Sequence, residues 1–221
     1  MSILTLGSSP LMGIMKIDET WQEMLAAFEN ADLYCAELDK IKSDSRKQEW
    51  LAVRLLLKYL LREEQIVDYD ENGAPSLRNR RYRVSFSHTK GFAAVILGEY
   101  EALGVDIEYH SERAWRLRER FLSTDELKMF ALLGAGCEIS ESPESPELRC
   151  FDLATVCWCA KETAFKALLQ TEVDFIRHLR IYPFVLSDKG TIRLRETKTP
   201  LLRTYIINYM IAENYIITWK E

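Results

Sequence analysis

The chain has 221 residues, 48% of them apolar, and its 34 acidic against 29 basic side chains leave a net charge of -5. That length fits one large or two small domains with a packed core, and the acidic balance excludes a general pull toward nucleic acid or anionic membrane, so any anion site must be built locally. Cys35, Cys137, Cys150, Cys157 and Cys159 form no C-x-x-C pair, which argues against a disulfide framework or zinc knuckle and leads to an expectation of reduced thiols. The opening MSILTLGSSPLMGIM has no basic leader and is broken at Gly7-Ser8-Ser9-Pro10, and no apolar run approaches the ~20 residues of a membrane span. A cytoplasmic monomer without nucleic-acid or membrane partners is the expectation.

Helical periodicity appears first over Glu19 to Asn30 and then strongly over Ser43 to Arg62, where Trp50, Val53, Leu57 and Leu60-Leu61 mark an apolar stripe and Ser43 or Asp44 caps the start. After an Asn72-Gly73 turn, Tyr82, Val84 and Phe86 alternate with Arg83, Ser85 and Ser87, predicting a hairpin with His88 at its tip. A strand over Leu103 to Glu108 opens the second half. Helices are expected around Trp115 to Phe121, over Thr124 to Leu133 and through Trp158 to Leu169. Between the last two, GAGCEISESPESPELR has the composition of an exposed, mobile loop. The closing hairpins turn at Asp188-Lys189-Gly190 and Ala212-Glu213-Asn214. The mixture predicts an α+β protein of two similar-sized, pseudo-symmetric subdomains, residues 1–101 and 102–221, each with helices on a mainly antiparallel sheet.

Two stretches carry chemistry. In GVDIE (Gly104 to Glu108) a strand puts Val105 and Ile107 on one face and Asp106 and Glu108 on the other, with Cα atoms about 6.6 Å apart. Two such carboxylates, if desolvated, take up a proton or a cation, and a hard divalent ion such as Mg2+ suits them. Alone, the pattern better fits an edge strand showing its acidic face to water. In WCAKETAFK (Trp158 to Lys166), Glu162 and Lys166 alone are an ordinary i,i+4 pair contributing about 0.3–0.5 kcal/mol. If that helix lies on the acidic face of the strand, three carboxylates converge with Lys161 and Lys166 beside them, a set matched to phosphoryl chemistry. Trp158 and Phe165 are expected to anchor the helix in the core.

GVDIE followed by WCAKETAFKAL resembles the double signature of the Sfp-type 4'-phosphopantetheinyl transferases. SFSHT (Ser85 to Thr89) is similar to the family's Asn-x-Ser-His-Ser, FLSTDEL (Phe121 to Leu127) to its Phe-x-Ser-x-x-Glu, and RKQEWLAVRLLLKYLL to its N-terminal helix. The resemblance spans about Arg46 to Leu169. It implies the two-subdomain fold of that family and transfer of the 4'-phosphopantetheine arm of coenzyme A to a serine of an apo acyl or peptidyl carrier protein, releasing adenosine 3',5'-bisphosphate. By the same resemblance Asp106, Glu108 and Glu162 bind Mg2+, Lys166 holds a pyrophosphate oxygen with Lys161 supporting it, and Glu162 serves as base directly or through a metal-bound water. Arg46, Arg54, Ser87 and His88 would take the nucleotide phosphates, with Gly73 and Pro75 on the adenine side. The first subdomain would then be the nucleotide side and the second the metal and carrier side.

Three departures stand out. Ala74 replaces a cation of the family pattern, Ser85 replaces its Asn, and the 52 positions from Asp106 to Trp158 exceed the usual gap, the Ser/Pro/Glu loop accounting for the excess. An acidic carrier helix needs a local basic patch, which either Arg113, Arg116, Arg118 and Arg120 or Arg193, Arg195, Lys198 and Arg203 would supply. The competing readings are a Mg2+-dependent hydrolase or transferase acting on another nucleotide pyrophosphate, and a non-catalytic homologue that binds coenzyme A or carrier proteins.

Overall fold

The N-terminal stretch enters as an antiparallel pair, β1 (Ser2–Leu6) and β2 (Leu11–Lys16). A computed structural model describes residues 2–6, 10–100, 102–132 and 146–221. Thr20 opens α1 (Trp21–Ala26) with a capping box: its hydroxyl accepts from the Glu23 N–H and the Glu23 carboxylate accepts from the Thr20 N–H. α2 (Asp32–Leu38) follows, so the expected helix over Glu19 to Asn30 is shorter than its periodicity suggested. The Ser43 hydroxyl caps α3 (Asp44–Leu61), and Arg62 ends it in the left-handed region at φ 62°. β3 (Val67–Tyr69) pairs with β4 (Pro75–Leu77). β5 (Arg83–Thr89) and β6 (Phe92–Gly98) form the expected hairpin, turning at Gly91 with φ +80°. The larger sheet runs β1-β2-β6-β5. α3 buries Leu51, Leu56 and Leu57 in one core with Met15, Val95 and Leu97, each such side chain contributing about 1.5–3 kcal/mol.

The second half begins with β7 (Gly104–Tyr109), α4 (Arg113–Leu117), a 3-10 turn over Arg118–Arg120 and α5 (Thr124–Leu132). α6 (Pro146–Leu168) is longer than its signature stretch. Pro146 to Arg149 therefore belong to a helix, which corrects the expected loop there; residues 134–145 of that loop, and Leu133 of the helix expected before it, lie outside the described residues. After α7 (Phe175–His178) come β8 (Leu179–Ile181), β9 (Lys189–Glu196), β10 (Thr204–Ile211) and β11 (Tyr215–Lys220) in an antiparallel sheet of order β7-β11-β10-β9-β8. α6 buries Val156, Ala160 and Ala164 with Ile192, Leu194, Ile207 and Ile216 of this sheet.

The chain divides into two units, Met1–Leu103 and Gly104–Glu221. Helices on antiparallel sheets make it the expected α+β protein. Among the described residues no helix is long and apolar enough to cross a membrane. Cys35, Cys157 and Cys159 are free thiols, whereas Cys150 is disulfide-bonded, which corrects the expectation of reduced thiols at that position.

Candidate active site

The site in the C-terminal unit begins with a missing side chain. On β7, Gly104, Asp106 and Glu108 share one face, and a Cβ on Gly104 would run into the Thr163 carbonyl oxygen of α6. Helix and strand therefore touch at backbone level. Thr163 fastens the crossing, its hydroxyl lying 2.6 Å from that of Thr218, the register partner of Asp106 on β11. We expect Gly104→Ala to destabilise the protein by about 1–3 kcal/mol through this clash; a melting temperature equal to wild type would show that α6 can shift freely.

Trp158, Glu162 and Lys166 follow at i, i+4 and i+8, so they line one helix face, which runs antiparallel to β7. Trp158 Nε1 donates to Glu108 Oε1 at 3.2 Å, and Lys166 Nζ donates to Asp106 Oδ1 at 2.7 Å and to the Val105 carbonyl at 2.9 Å. Glu162 lies between these contacts. Burial first, then the charge of Asp106, and more weakly that of Glu108, push its carboxyl up to about 7 against the opposing pull of Lys166. The acidic face of the strand and Glu162 thus share one electrostatic neighbourhood.

That donor set suits a hard divalent cation: three carboxylates on two facing elements, one of them with its pKa raised by burial and by its acidic neighbours. Among the described residues no group of three His, Cys, Asp or Glu side chains stands close enough to hold an ion, and Lys166 occupies Asp106 Oδ1. A cavity of about 120 Å³ opens beside Glu108, lined by Thr155, Trp158, Phe121, Leu117 and Arg113 among others. Phe165 is 37% exposed, which corrects its expected place in the core, whereas Trp158 packs edge-on against Phe121 at 5.2 Å.

Lys161 is elsewhere. Its side chain is fully buried, and its ammonium donates to the Phe121 carbonyl at 2.7 Å, Glu126 Oε2 at 2.9 Å and the Phe175 carbonyl at 3.0 Å. All three N–H donors of a lysine are then engaged. This corrects its expected role on a phosphate: Lys161 secures α6 to α5. Glu126 is the residue that sequence reasoning left without a role. It caps α5 by accepting from the Ser123 N–H at 2.7 Å and also accepts from the Ile181 N–H at 2.8 Å. The Ser123-x-x-Glu126 capping box was visible in the sequence; its pairing with Lys161 was not.

In the N-terminal unit, Arg46 and His88 are in contact, the arginine Nη1 meeting His88 Nε2. Glu49 joins both, 3.1 Å from Arg46 Nη1 and 3.3 Å from His88 Nδ1. Sequence reasoning missed Glu49, although it lies one helical turn after Arg46. Ser87 and His88 lie within β5 and not at the hairpin tip, so alternation sends them to opposite faces. Ser87 is accordingly buried, which corrects its expected place beside His88 on a phosphate. Arg54 is corrected likewise: it is 5% exposed, stacked 3.3 Å over the Trp50 ring centroid, and donates to the Trp50 carbonyl and the Tyr69 hydroxyl. Burial draws its pKa below the usual arginine value. Gly73, at φ +79°, sits in the β3–β4 turn, where Asp70 Oδ1 accepts from the Asn72 and Ala74 N–H groups, and Pro75 opens β4 opposite Tyr69.

A family model described as the 4'-phosphopantetheinyl transferase superfamily matches residues 102–219, more than half of the chain. The chain belongs to that superfamily. A search of curated proteins found no match. The 4'-phosphopantetheinyl transferase match contains both β7 and α6, and with them Asp106, Glu108, Glu162 and Lys166. Transferases of this superfamily move phosphopantetheine and generally use coenzyme A and a divalent metal. Arg46, Arg54, Gly73, Pro75, Ser87 and His88 precede the matched segment.

Proposed function

We propose that the protein is an Sfp-type transferase that moves the 4'-phosphopantetheine arm of coenzyme A to a serine of an apo acyl or peptidyl carrier protein. The observation carrying this reading is the crossing of α6 over Gly104, which sets Glu162 and Lys166 against Asp106. Asp106, Glu108 and Glu162 are the residues that would hold Mg2+. When bound, the ion supplies Lewis acidity and neutralises pyrophosphate charge.

Lys166 holds a pyrophosphate oxygen as a point charge, a task for which its partly open position beside Asp106 suits it. The serine hydroxyl attacks the phosphorus that bears the pantetheine arm. The new oxygen–phosphorus bond forms as the bond to the bridging oxygen breaks, and adenosine 3',5'-bisphosphate departs with that electron pair. The serine proton passes to Glu162 or to a water at its carboxylate. Arg46 and His88 would hold nucleotide phosphates, with Gly73 and Pro75 on the adenine side.

Of the two basic clusters, the one at α4 suits the carrier. Arg113 lines the cavity beside Glu108, so an acidic helix docked there brings its serine to the carboxylates. The cluster with Arg193 and Arg195 lies on the sheet face opposite the buried Leu194 and Glu196, which point toward the α6 side.

Mass spectrometry of an apo carrier protein incubated with coenzyme A, Mg2+ and this protein tests the reading. One phosphopantetheinyl mass added to the carrier serine is the expected result. Cleavage of coenzyme A without a carrier would favour a hydrolase, and binding without any mass gain a silent homologue.

A further inference from the structure

We infer that the β9–β10 hairpin end of the C-terminal unit docks on an anionic lipid surface. Its connection carries Leu201 and Leu202, 65% and 44% exposed, and Leu202 adopts φ 48°, a left-handed conformation that a leucine rarely takes. This is no slack loop. Glu196, fully buried behind it, accepts from the Thr199 N–H at 2.9 Å, the Thr199 hydroxyl at 2.5 Å and the Arg203 N–H at 3.0 Å, while its own N–H donates to the Arg203 carbonyl at 2.9 Å. A buried carboxylate and a strained backbone thus hold two leucines out in water.

Cations surround them. Lys198 and Arg203 flank the leucines in sequence, and on the outer face of the sheet Arg193 stands in register with exposed Ile206 and Arg195 with Thr204. Of the acidic residues nearby, Asp125 faces Arg180 at 3.6 Å and Asp174 faces Arg177 at 3.7 Å, while Glu172 lies beside Lys198, whose ammonium donates to the Glu172 carbonyl at 3.1 Å. Among the described residues, Arg193, Arg195, Lys198 and Arg203 form no ion pair with a carboxylate. In a chain of net charge -5 this face and the α4 cluster are the basic exceptions, and of the two only this one carries a pair of exposed leucines at its centre.

A hairpin end is convex, and a protein partner would need a matching hollow for the two leucines, whereas a bilayer interface yields to either shape. Shallow apolar insertion ringed by Lys and Arg is the mode by which peripheral anchors bind anionic lipid. A tip already ordered by Glu196 loses little conformational freedom on insertion.

Co-sedimentation with phosphatidylcholine vesicles, with or without about 30% phosphatidylglycerol, tests this. The wild-type chain should pellet with the anionic vesicles only and be released at about 0.5 M salt. Leu201→Ser/Leu202→Ser and Lys198→Glu/Arg203→Glu should each lower the bound fraction at least about fivefold, with melting temperature and carrier modification in solution unchanged. Wild-type protein that stays in the supernatant, or variants that pellet as wild type does, would overturn the inference. So would loss of binding to an acidic carrier protein in these variants without any vesicle binding by the wild type.

Discussion

Asp106→Ala lowers carrier modification by about a hundred- to a thousandfold or more, the scale of losing one preorganised charged group at a phosphoryl-transfer centre. The fold should survive. Lys166 keeps the Val105 carbonyl at 2.9 Å and is partly open to water, so it is not left as a buried, unsolvated cation. Glu162 at the same time loses the charge that, after burial, does most to raise its pKa. Far-UV circular dichroism and a thermal melt check the fold, and the carrier mass reads the chemistry. A variant that modifies the carrier at the wild-type rate would remove Asp106 from the reaction centre, and with it the reading that α6 and β7 together form that centre.

Lys161→Met should behave in the opposite way. It strands the Glu126 carboxylate, 2% exposed, without its cation and leaves two backbone carbonyls unmet, so we expect a loss of about 3–5 kcal/mol in unfolding free energy. The two N–H groups that still bond Glu126 favour the lower end of that range. In the folded fraction the KM for coenzyme A should be unchanged. Denaturant titration measures the first quantity and initial rates the second. A stable variant with a raised KM would return Lys161 to the phosphate site. Pairing Lys161→Met with Glu126→Gln should cost less than the two single changes summed, because both remove the same contact.

The contrast between these lysines shows what spacing can and cannot reveal. Glu162 and Lys166 are one turn apart and face the same way, and the period-2 alternation of GVDIE put Asp106 and Glu108 together; both inferences needed only local geometry. Lys161 stands next to Glu162, and neighbouring helix residues point about 100° apart, so both could not face β7. What lay on its other side was Glu126, 35 positions earlier, a long-range contact that no periodicity encodes. Ser87 failed for a related reason: once β5 is a strand, Ser87 and His88 cannot share a side. The resemblance supplied residue types, and the twist of each element decided which of them could meet. The α+β architecture was easier to read, because TYIINYMI coincides with β10 and the Ala212-Glu213-Asn214 turn separates it from β11.

Because α6 meets β7 through main-chain atoms at Gly104, with the Thr163 and Thr218 hydroxyls beside the crossing, neither element has slack to slide. If the proposed centre takes an ion and a nucleotide, loading it would be a matter of rotamers: Lys166 would swing from Asp106 toward an incoming oxyanion, and the carboxylates would turn inward on a stationary frame. Such a centre would be gated by one cation changing partners, with the scaffold behaving as a rigid jig.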